Sequence, residues 1–182
     1  MKKNLCFLLV TLLLGAAGLG LAGCSRSGAE DSAVNKTEPP AVKTETGVTT
    51  GKALAVFSLA SLNGGKVTVA AAGKPLVINF WATWCPPCRE EMPELNRFAA
   101  AHKEKVDFWA VNIQEPVSKV SDFMQQNQYT IPVLTDLDGE VAKSFRVTAI
   151  PTTVVVDRNG VIRHRKAGAV TASELEAVLK DL

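Results

Sequence analysis

The sequence predicts an α/β domain in which a mixed central sheet is flanked by helices. A nearly continuous apolar run over 76–81 is typical of a strand that is covered on both faces. The segment that follows it, 86–102, carries apolar residues three and four positions apart, which indicates an amphipathic helix. Strand–helix–strand order then recurs along the chain, as in a mixed sheet with helices on both faces. The roughly 130 residues from Gly51 onward suit one compact domain.

The remaining elements follow from local patterns. Asn63-Gly64-Gly65 separates two strand-like segments, 55–59 and 66–69, and so predicts an N-terminal hairpin. Pro86 fits the first turn of the helix over 86–102, where a missing N–H costs little. The other predicted elements are a strand over 106–111, a helix from near Pro116, a strand over 131–134, a helix over 138–145, a hairpin over 153–156 and 161–165, and a last helix with a capping box of Thr171 and Glu174.

The N-terminus has the pattern of a targeting segment. Two lysines precede an apolar core over 5–14, which is of signal-peptide length. Leu21-Ala22-Gly23-Cys24 resembles the bacterial lipobox, in which the chain is cut before an acylated cysteine. We therefore expect a lipoprotein signal peptide over 1–23 and lipid attachment at Cys24. The alternative is an uncleaved membrane anchor over 5–21, and either interpretation places the domain outside the cytoplasm.

Residues 24–50 are expected to form a lipidated, disordered tether ahead of a domain over 51–182. Apart from alanine and valine, residues 25–50 are polar or glycine and proline, which cannot bury a core. Removal of residues 1–23 takes away two lysines and leaves 18 basic and 18 acidic residues. A chain with no net charge lacks the electrostatic footprint of nucleic-acid binding, so we expect no nucleic-acid partner.

Cys85-Pro86-Pro87-Cys88 is the motif that carries chemistry. Two thiols at this spacing can close a small disulfide ring, and a helix N-terminus beside them stabilises a thiolate. With Cys6 and Cys24 assigned to the N-terminus, these are the two free sulfurs of the mature chain. The alternatives are a structural disulfide or half of a zinc site. Zinc needs four ligands, and the two histidines, His102 and His164, have no ligand-like spacing, so we expect no metal.

The segment 79–89, Asn-Phe-Trp-Ala-Thr-Trp-Cys-Pro-Pro-Cys-Arg, resembles the thioredoxin superfamily, as does Ile150-Pro151-Thr152-Thr153 about sixty residues later. The N-terminal hairpin, the extra helix and strand between Glu115 and Thr135, and the lipobox narrow the resemblance to the TlpA/ResA-type membrane-anchored reductases. The resemblance covers 54–182. It implies a thioredoxin-like fold with an N-terminal β-hairpin and a central helix–strand insertion.

The resemblance also implies roles for site residues. Cys85 is expected to be the exposed nucleophile, and Cys88, one turn farther into the helix, is expected to resolve the mixed disulfide. The Ile150–Pro151 bond is expected to be cis and to face the cysteines, so that the backbone before it can pair with a substrate. Further substrate-binding residues are Trp84, which can form the partner-binding surface, and the ring residues Pro86 and Pro87.

Two polar positions complete the expected site. Thioredoxins carry a buried aspartate in the strand before the cysteines, and here Asn79, which cannot act as a base, takes that place. Glu115 matches an acidic residue that ResA-type proteins hold near the thiols, where it would raise the thiol pKa and could carry a proton. The alternative for Glu115 is a solvated loop residue. Residues 89–91 are interpreted as a solvated first helical turn.

The function implied is that of an extracytoplasmic thiol–disulfide oxidoreductase that reduces disulfides in partner proteins, in cytochrome c maturation or related work. A membrane thiol donor would supply electrons, and no cofactor is expected beyond the Cys85–Cys88 pair. One alternative is a thiol peroxidase, but Ile78 and Ala82 stand where that class has Pro and Thr. The other is a copper carrier resembling the Sco proteins, for which His164 has no evident route to the site.

Overall fold

The structure is a computed structural model that describes residues 45–182. The predicted signal peptide, Cys24 and most of the predicted tether lie outside the described residues. Among the helices of the described residues, none combines the length and the hydrophobicity that a membrane span requires. Four helices are described: α1 (Pro86–His102), α2 (Val117–Gln126), α3 (Glu140–Ser144) and α4 (Ala172–Lys180). The strands are β1 (Thr46–Gly47), β2 (Ala53–Leu54), β3 (Phe57–Ser61), β4 (Lys66–Val69), β5 (Leu76–Trp81), β6 (Asp107–Ile113), β7 (Val133–Asp136), β8 (Thr152–Val156) and β9 (Ile162–Ala167).

Seven of these strands form one mixed sheet in the order β4-β3-β7-β6-β5-β8-β9. The central strands β5, β6 and β7 are parallel, and the other neighbours pair antiparallel. The α/β class, the N-terminal hairpin and the helix–strand insertion of α2 and β7 agree with the prediction. The capping box of Thr171 and Glu174 at the start of α4 is also present.

Two apolar layers hold the helices on opposite faces of the sheet. The run over β5 divides between them, because side chains alternate along a strand: Val77 and Trp81 face one layer, and Ile78 and Phe80 face the other. The first layer holds the apolar side chains of α1, α2 and α4, and the second holds Ala142 of α3 together with Leu54. The continuous apolar run was therefore correctly interpreted as a strand covered on both faces.

The structure differs from the prediction at the N-terminal end of the domain. The first hairpin strand begins at Phe57 and leaves Ala55 and Val56 outside it. Residues 45–50, assigned to the tether, already contain β1, whose pairing with β2 places Thr46 opposite Ala53. The backbone N–H of Gly51 donates to the Ile162 carbonyl at 2.8 Å, which ties this segment to β9. The bond to β9 joins segments far apart in the chain, and a polar local sequence carries no signal for it.

The topology gathers several loops at one edge of the sheet. The carboxyl ends of β5, β6 and β7 lie side by side because these strands are parallel, with Trp81 opposite Asn112 and Ile113 opposite Asp136. The start of β8 lies at the same edge, since Thr152 pairs with Phe80. We call this the carboxyl edge, and the Cys85–Cys88 segment follows β5 directly there.

Candidate active site

The Cys85–Cys88 disulfide lies at the start of α1. Cys85 is the N-cap residue, and its Sγ accepts a hydrogen bond from the backbone N–H of Cys88 at 3.3 Å. Pro86 and Pro87 occupy the first helical positions, where no N–H is needed. In the reduced protein the same N–H and the positive end of the helix would stabilise a Cys85 thiolate. The arrangement therefore suits reversible thiol chemistry.

Both sulfurs lie below the surface. Cys85 is 2% exposed and Cys88 is fully buried, so the expectation of an exposed Cys85 is wrong for the disulfide form. The physical reason is packing, because both cysteines belong to the apolar layer between the sheet and α1. Cys85 Sγ also lies 3.7 Å from the Ile150 carbonyl oxygen, which limits access from the side of β8.

The Ile150–Pro151 peptide bond is cis and faces the cysteines, as the resemblance implies. Pro151 is buried directly before β8, while Ile150 is half-buried. The antiparallel pairing of β8 with β5 brings this loop to the carboxyl edge. Two segments more than sixty residues apart in the chain therefore meet at the disulfide.

The rim around the disulfide is formed by residues that the sequence analysis assigned to substrate binding. Trp84 is 61% exposed, which is unusual for so large an apolar side chain. Pro86 and Pro87 are exposed as well. An exposed apolar rim over recessed sulfurs is a surface on which a partner can bury its own apolar groups.

Glu115 is buried and anchors the active-site loop, so the solvated-loop alternative is wrong. Its side chain is 3% exposed. Oε2 accepts hydrogen bonds from the backbone N–H of Thr83 at 2.6 Å and from Asn112 Nδ2 at 2.9 Å. Oε1 accepts from Thr83 Oγ1 at 2.6 Å and pairs with Lys119 Nζ at 2.8 Å. Because Thr83 lies two residues before Cys85, the Glu115 carboxylate holds in place the chain segment that leads into the disulfide.

These bonds decide the charge of Glu115. Burial alone would raise the pKa of its carboxyl, but the hydrogen bonds from Lys119, Thr83 and Asn112 outweigh burial and lower the pKa below its usual value. The four contacts from these three residues all stabilise the ionised carboxylate. Glu115 is therefore an anion at neutral pH, and this favours a positioning and electrostatic role over proton transfer.

Glu91 is a second buried carboxylate, and the interpretation of 89–91 as a solvated turn is wrong for it. It is 5% exposed, whereas Arg89 and Glu90 are exposed. Its Oε1 accepts a hydrogen bond from Asn79 Nδ2 at 2.9 Å, and its Oε2 accepts one from the backbone N–H of Val170 at 2.8 Å. Burial raises the pKa of Glu91, and these two bonds and the charge of Lys166 offset it only in part.

A sequence signal for Glu91 existed. Cys88, Glu91, Met92 and Leu95 are all buried, and their spacing of three and four residues defines one face of α1. Helical periodicity therefore places Glu91 on the apolar face, one turn after Cys88. The partner of Glu91 is Asn79, the residue that takes the place of the thioredoxin aspartate on β5. Asn79 also donates to Thr153 Oγ1 at 3.0 Å, which links β5 to β8 beside the site.

The described residues contain no group of three histidine, cysteine or acidic side chains that could hold a metal ion. His102 lies at the end of α1, where its ring stacks on Phe98. His164 lies on β9, two strands from β5. Neither histidine is placed beside the disulfide.

Fold and site together define a thiol–disulfide oxidoreductase with a thioredoxin-like fold. Residues 41–179 match the Redoxin family, and the chain belongs to that family. The chain is similar to the thiol-disulfide oxidoreductase ResA of Bacillus cereus, with 33% identity over an alignment that covers all of this chain and 99% of that protein.

Solved structures agree with this assignment. The crystal structure of StoA from Bacillus subtilis is 31% identical, with a TM-score of 0.62, over 68% of this chain and 96% of that one. A secreted Mycobacterium tuberculosis disulfide oxidoreductase homologous to E. coli DsbE is 28% identical, with a TM-score of 0.60, over 69% of this chain and 96% of that one.

Proposed function

We propose that this protein reduces disulfides of partner proteins outside the cytoplasm, while lipid at Cys24 holds it to the membrane. The observation that carries the proposal is the Cys85–Cys88 disulfide at the N-terminus of α1, with the Cys88 N–H on Cys85 Sγ and the Ile150 carbonyl 3.7 Å away. The substrates are disulfide-containing proteins, including those handled in cytochrome c maturation.

The reaction proceeds by two thiol–disulfide exchanges. The Cys85 thiolate attacks one sulfur of the substrate disulfide, which breaks that S–S bond, forms a mixed disulfide and releases a substrate thiolate that takes a proton from water. Cys88 then loses its proton, and its thiolate attacks Cys85 Sγ. This forms the Cys85–Cys88 bond and releases the second substrate thiolate. The protein dithiol has lost two electrons and the substrate disulfide has gained two.

Buried groups support this sequence of steps. Glu115 holds Thr83 and the loop before Cys85, and its negative charge opposes an excessively stable thiolate. Glu91 has a raised pKa and lies one turn after Cys88 on the buried face of α1, which suits it to exchange the Cys88 proton. Trp84, Pro86, Pro87 and the backbone at Ile150 and Pro151 would receive the substrate around the disulfide.

The balance of charges favours a reductant. A strong oxidant of this fold depends on a highly stabilised thiolate in its reduced form. Here the helix N-terminus and Arg89 favour the thiolate, while Glu115 disfavours it and Asn79 adds no charge. We expect a reduction potential at or below about −200 mV, nearer thioredoxin than the periplasmic oxidase. A membrane thiol donor would keep the pair reduced in an oxidising compartment.

Trapping separates the roles of the two cysteines. Cys88→Ser should attack substrates and accumulate mixed disulfides, because no thiol resolves them, and identification of the trapped proteins would name the partners. Cys85→Ser should trap nothing and abolish exchange. If trapping requires Cys88 instead, the roles are reversed.

Equilibration of the purified mature protein with glutathione or dithiothreitol buffers measures its reduction potential, which decides whether it acts as a reductant or an oxidant. A value near about −120 mV, the range of the periplasmic oxidase, would overturn the reductase assignment and leave the oxidoreductase site intact.

A further inference from the structure

Exposed apolar side chains are concentrated at the carboxyl edge. The described residues have four large exposed apolar side chains, and three of them, Trp84, Val117 and Leu137, follow the ends of the parallel strands β5, β6 and β7. Trp84 is 61% exposed, Val117 43% and Leu137 56%. Val117 and Leu137 belong to no part of the disulfide site described above. Since β5, β6 and β7 are adjacent in the sheet, the three segments that carry these side chains follow one another from the disulfide outwards.

We propose that Val117 and Leu137 extend the substrate-docking surface across β6 and β7, and that the surface binds an extended, unfolded segment with apolar residues near its cysteine. This proposal rests on the proposed reduction of partner disulfides and specifies the substrate class. Val117 and Leu137 are then specificity-determining residues, remote from the reacting sulfurs.

The burial of the sulfurs favours an extended segment over a folded surface. Cys85 is 2% exposed and lies below the rim formed by Trp84 and the Ile150 loop. A cysteine in a rigid, convex surface cannot reach a recessed sulfur without steric conflict with this rim. A single extended segment is narrow enough to reach it.

Strand spacing sets where the apolar residue must lie. Neighbouring strands are about 4.8 Å apart, so the loops after β5 and β7 are separated by roughly 10 Å. An extended chain advances about 3.3 Å per residue and its side chains alternate between two faces, so side chains two positions apart share a face and lie about 6.6 Å apart. A segment whose cysteine is at Cys85 therefore brings the side chain two positions away between the loops that carry Val117 and Leu137.

The proposed docking surface also explains why Val117 and Leu137 are apolar. Val117 opens α2, and Leu137 lies between Asp136 and Asp138 in a loop, two positions where polar residues are usual. An apolar side chain left in water at such a position gains nothing in the isolated domain. Burial against a bound segment would recover the hydrophobic free energy of both.

The test uses single-turnover reduction by the mature, pre-reduced protein, which needs no electron donor. Two symmetrical peptide disulfides of equal length and charge serve as substrates, one with leucine and one with serine two positions on each side of the cysteine. Each rate is divided by the rate with oxidised glutathione, which is too short to reach β7. The double variant Val117→Ser/Leu137→Ser is compared with the apolar double variant Val117→Ile/Leu137→Met.

We expect the wild-type protein to prefer the leucine peptide by about fivefold, because burial of half an aliphatic side chain is equivalent to roughly that factor. The serine variant should lose most of that preference, and the Ile/Met variant should keep it. A wild type without preference, or a serine variant that keeps the full preference, would overturn the docking surface while reduction itself stands. If the wild type reduces neither peptide nor glutathione, the proposed function fails instead.

Discussion

Replacement of Glu115 by glutamine tests the charge that anchors the active-site loop. The amide keeps the shape of the side chain and removes its charge. Its oxygen can accept the bonds from the Thr83 N–H and Asn112 Nδ2, and its NH2 group can donate to Thr83 Oγ1. Only the ion pair with Lys119 has no equivalent. The variant therefore isolates the value of the negative charge from the value of the contacts.

The expected loss follows from these contacts. A hydrogen bond to an ionised group contributes about 1 kcal/mol more than a neutral one, and three such bonds become neutral in Glu115→Gln. Lys119 is 53% exposed, so its screened ion pair adds at most about 1 kcal/mol. Removal of the buried charge also relieves its desolvation and offsets part of this loss, so we expect the free energy of unfolding at pH 7 to fall by roughly 2 kcal/mol. Glu90→Gln is the matched control, because Glu90 is exposed on α1. The free energy of unfolding of this variant should stay within about 0.5 kcal/mol of the wild-type value.

The pH dependence has a definite sign. The pKa of Glu115 is lowered in the folded protein from its ordinary value of 4.5, so its stabilisation is present above that value. It is lost as the pH falls through the folded pKa, and the difference between wild type and variant should narrow below pH 4.5. Urea unfolding of the oxidised protein, followed by tryptophan fluorescence at several pH values, measures both quantities.

The same variant reports on the thiols. Loss of a neighbouring negative charge should lower the pKa of Cys85 or Cys88, measured as the pH dependence of alkylation of the reduced protein. Equal stability of variant and wild type at pH 7, together with an unchanged thiol titration, would refute the anchoring and electrostatic roles assigned to Glu115.

Three further results are expected. Glu91→Gln should gain stability relative to wild type as the pH rises above 4.5, because burial raises the pKa of Glu91 and ionisation there disfavours the folded state; parallel stability–pH curves would contradict this. Asp157→Asn should lose about 1–2 kcal/mol of unfolding free energy at pH 7, measured by urea unfolding. Burial of Asp157 is outweighed by bonds from Val161, Arg163 and Asn159 that lower its pKa, so the loss should vanish well below pH 3.8. Labelled fatty acid should enter the wild type but not Cys24→Ser, and equal labelling of the two would exclude lipid attachment at Cys24.

Most elements could be predicted from the sequence because their signals are local. The apolar run of β5, the periodicity of α1 and the capping box of α4 each depend on residues within a few positions of one another. Element ends were less well predicted: β7 lies over Val133–Asp136, two residues beyond the predicted 131–134. Strand ends are set by pairing with neighbours, here with Ala110–Ile113 of β6, which local composition does not encode.

The basic run 163–166 shows the same limit. It lies on β9 at the edge of the sheet, a position that favours solvated side chains, yet two of its arginines have partners within the protein. Arg163 pairs with Asp157, and Arg165 donates to the Phe145 carbonyl at 2.9 Å. A run of charges predicts exposure, whereas the partners that lie within reach depend on how the chain returns across the sheet.

The reactive pair could be identified from a few neighbouring residues, since two cysteines three residues apart at a helix start need no distant segment to form their ring. The surroundings of that pair depend on contacts between distant parts of the chain. Glu115 reaches Thr83 across 32 residues, and Glu91 reaches Val170 across 79, so a glutamate after β6 and a glutamate on the apolar face of α1 both become hydrogen-bonded, buried carboxylates. Their pKa values shift in opposite directions. Full hydrogen bonding stabilises the anion of Glu115 and lowers its pKa, while burial with fewer bonds disfavours the anion of Glu91 and raises its pKa. That difference depends on which donors the fold brings to each carboxylate, and no local pattern contains it.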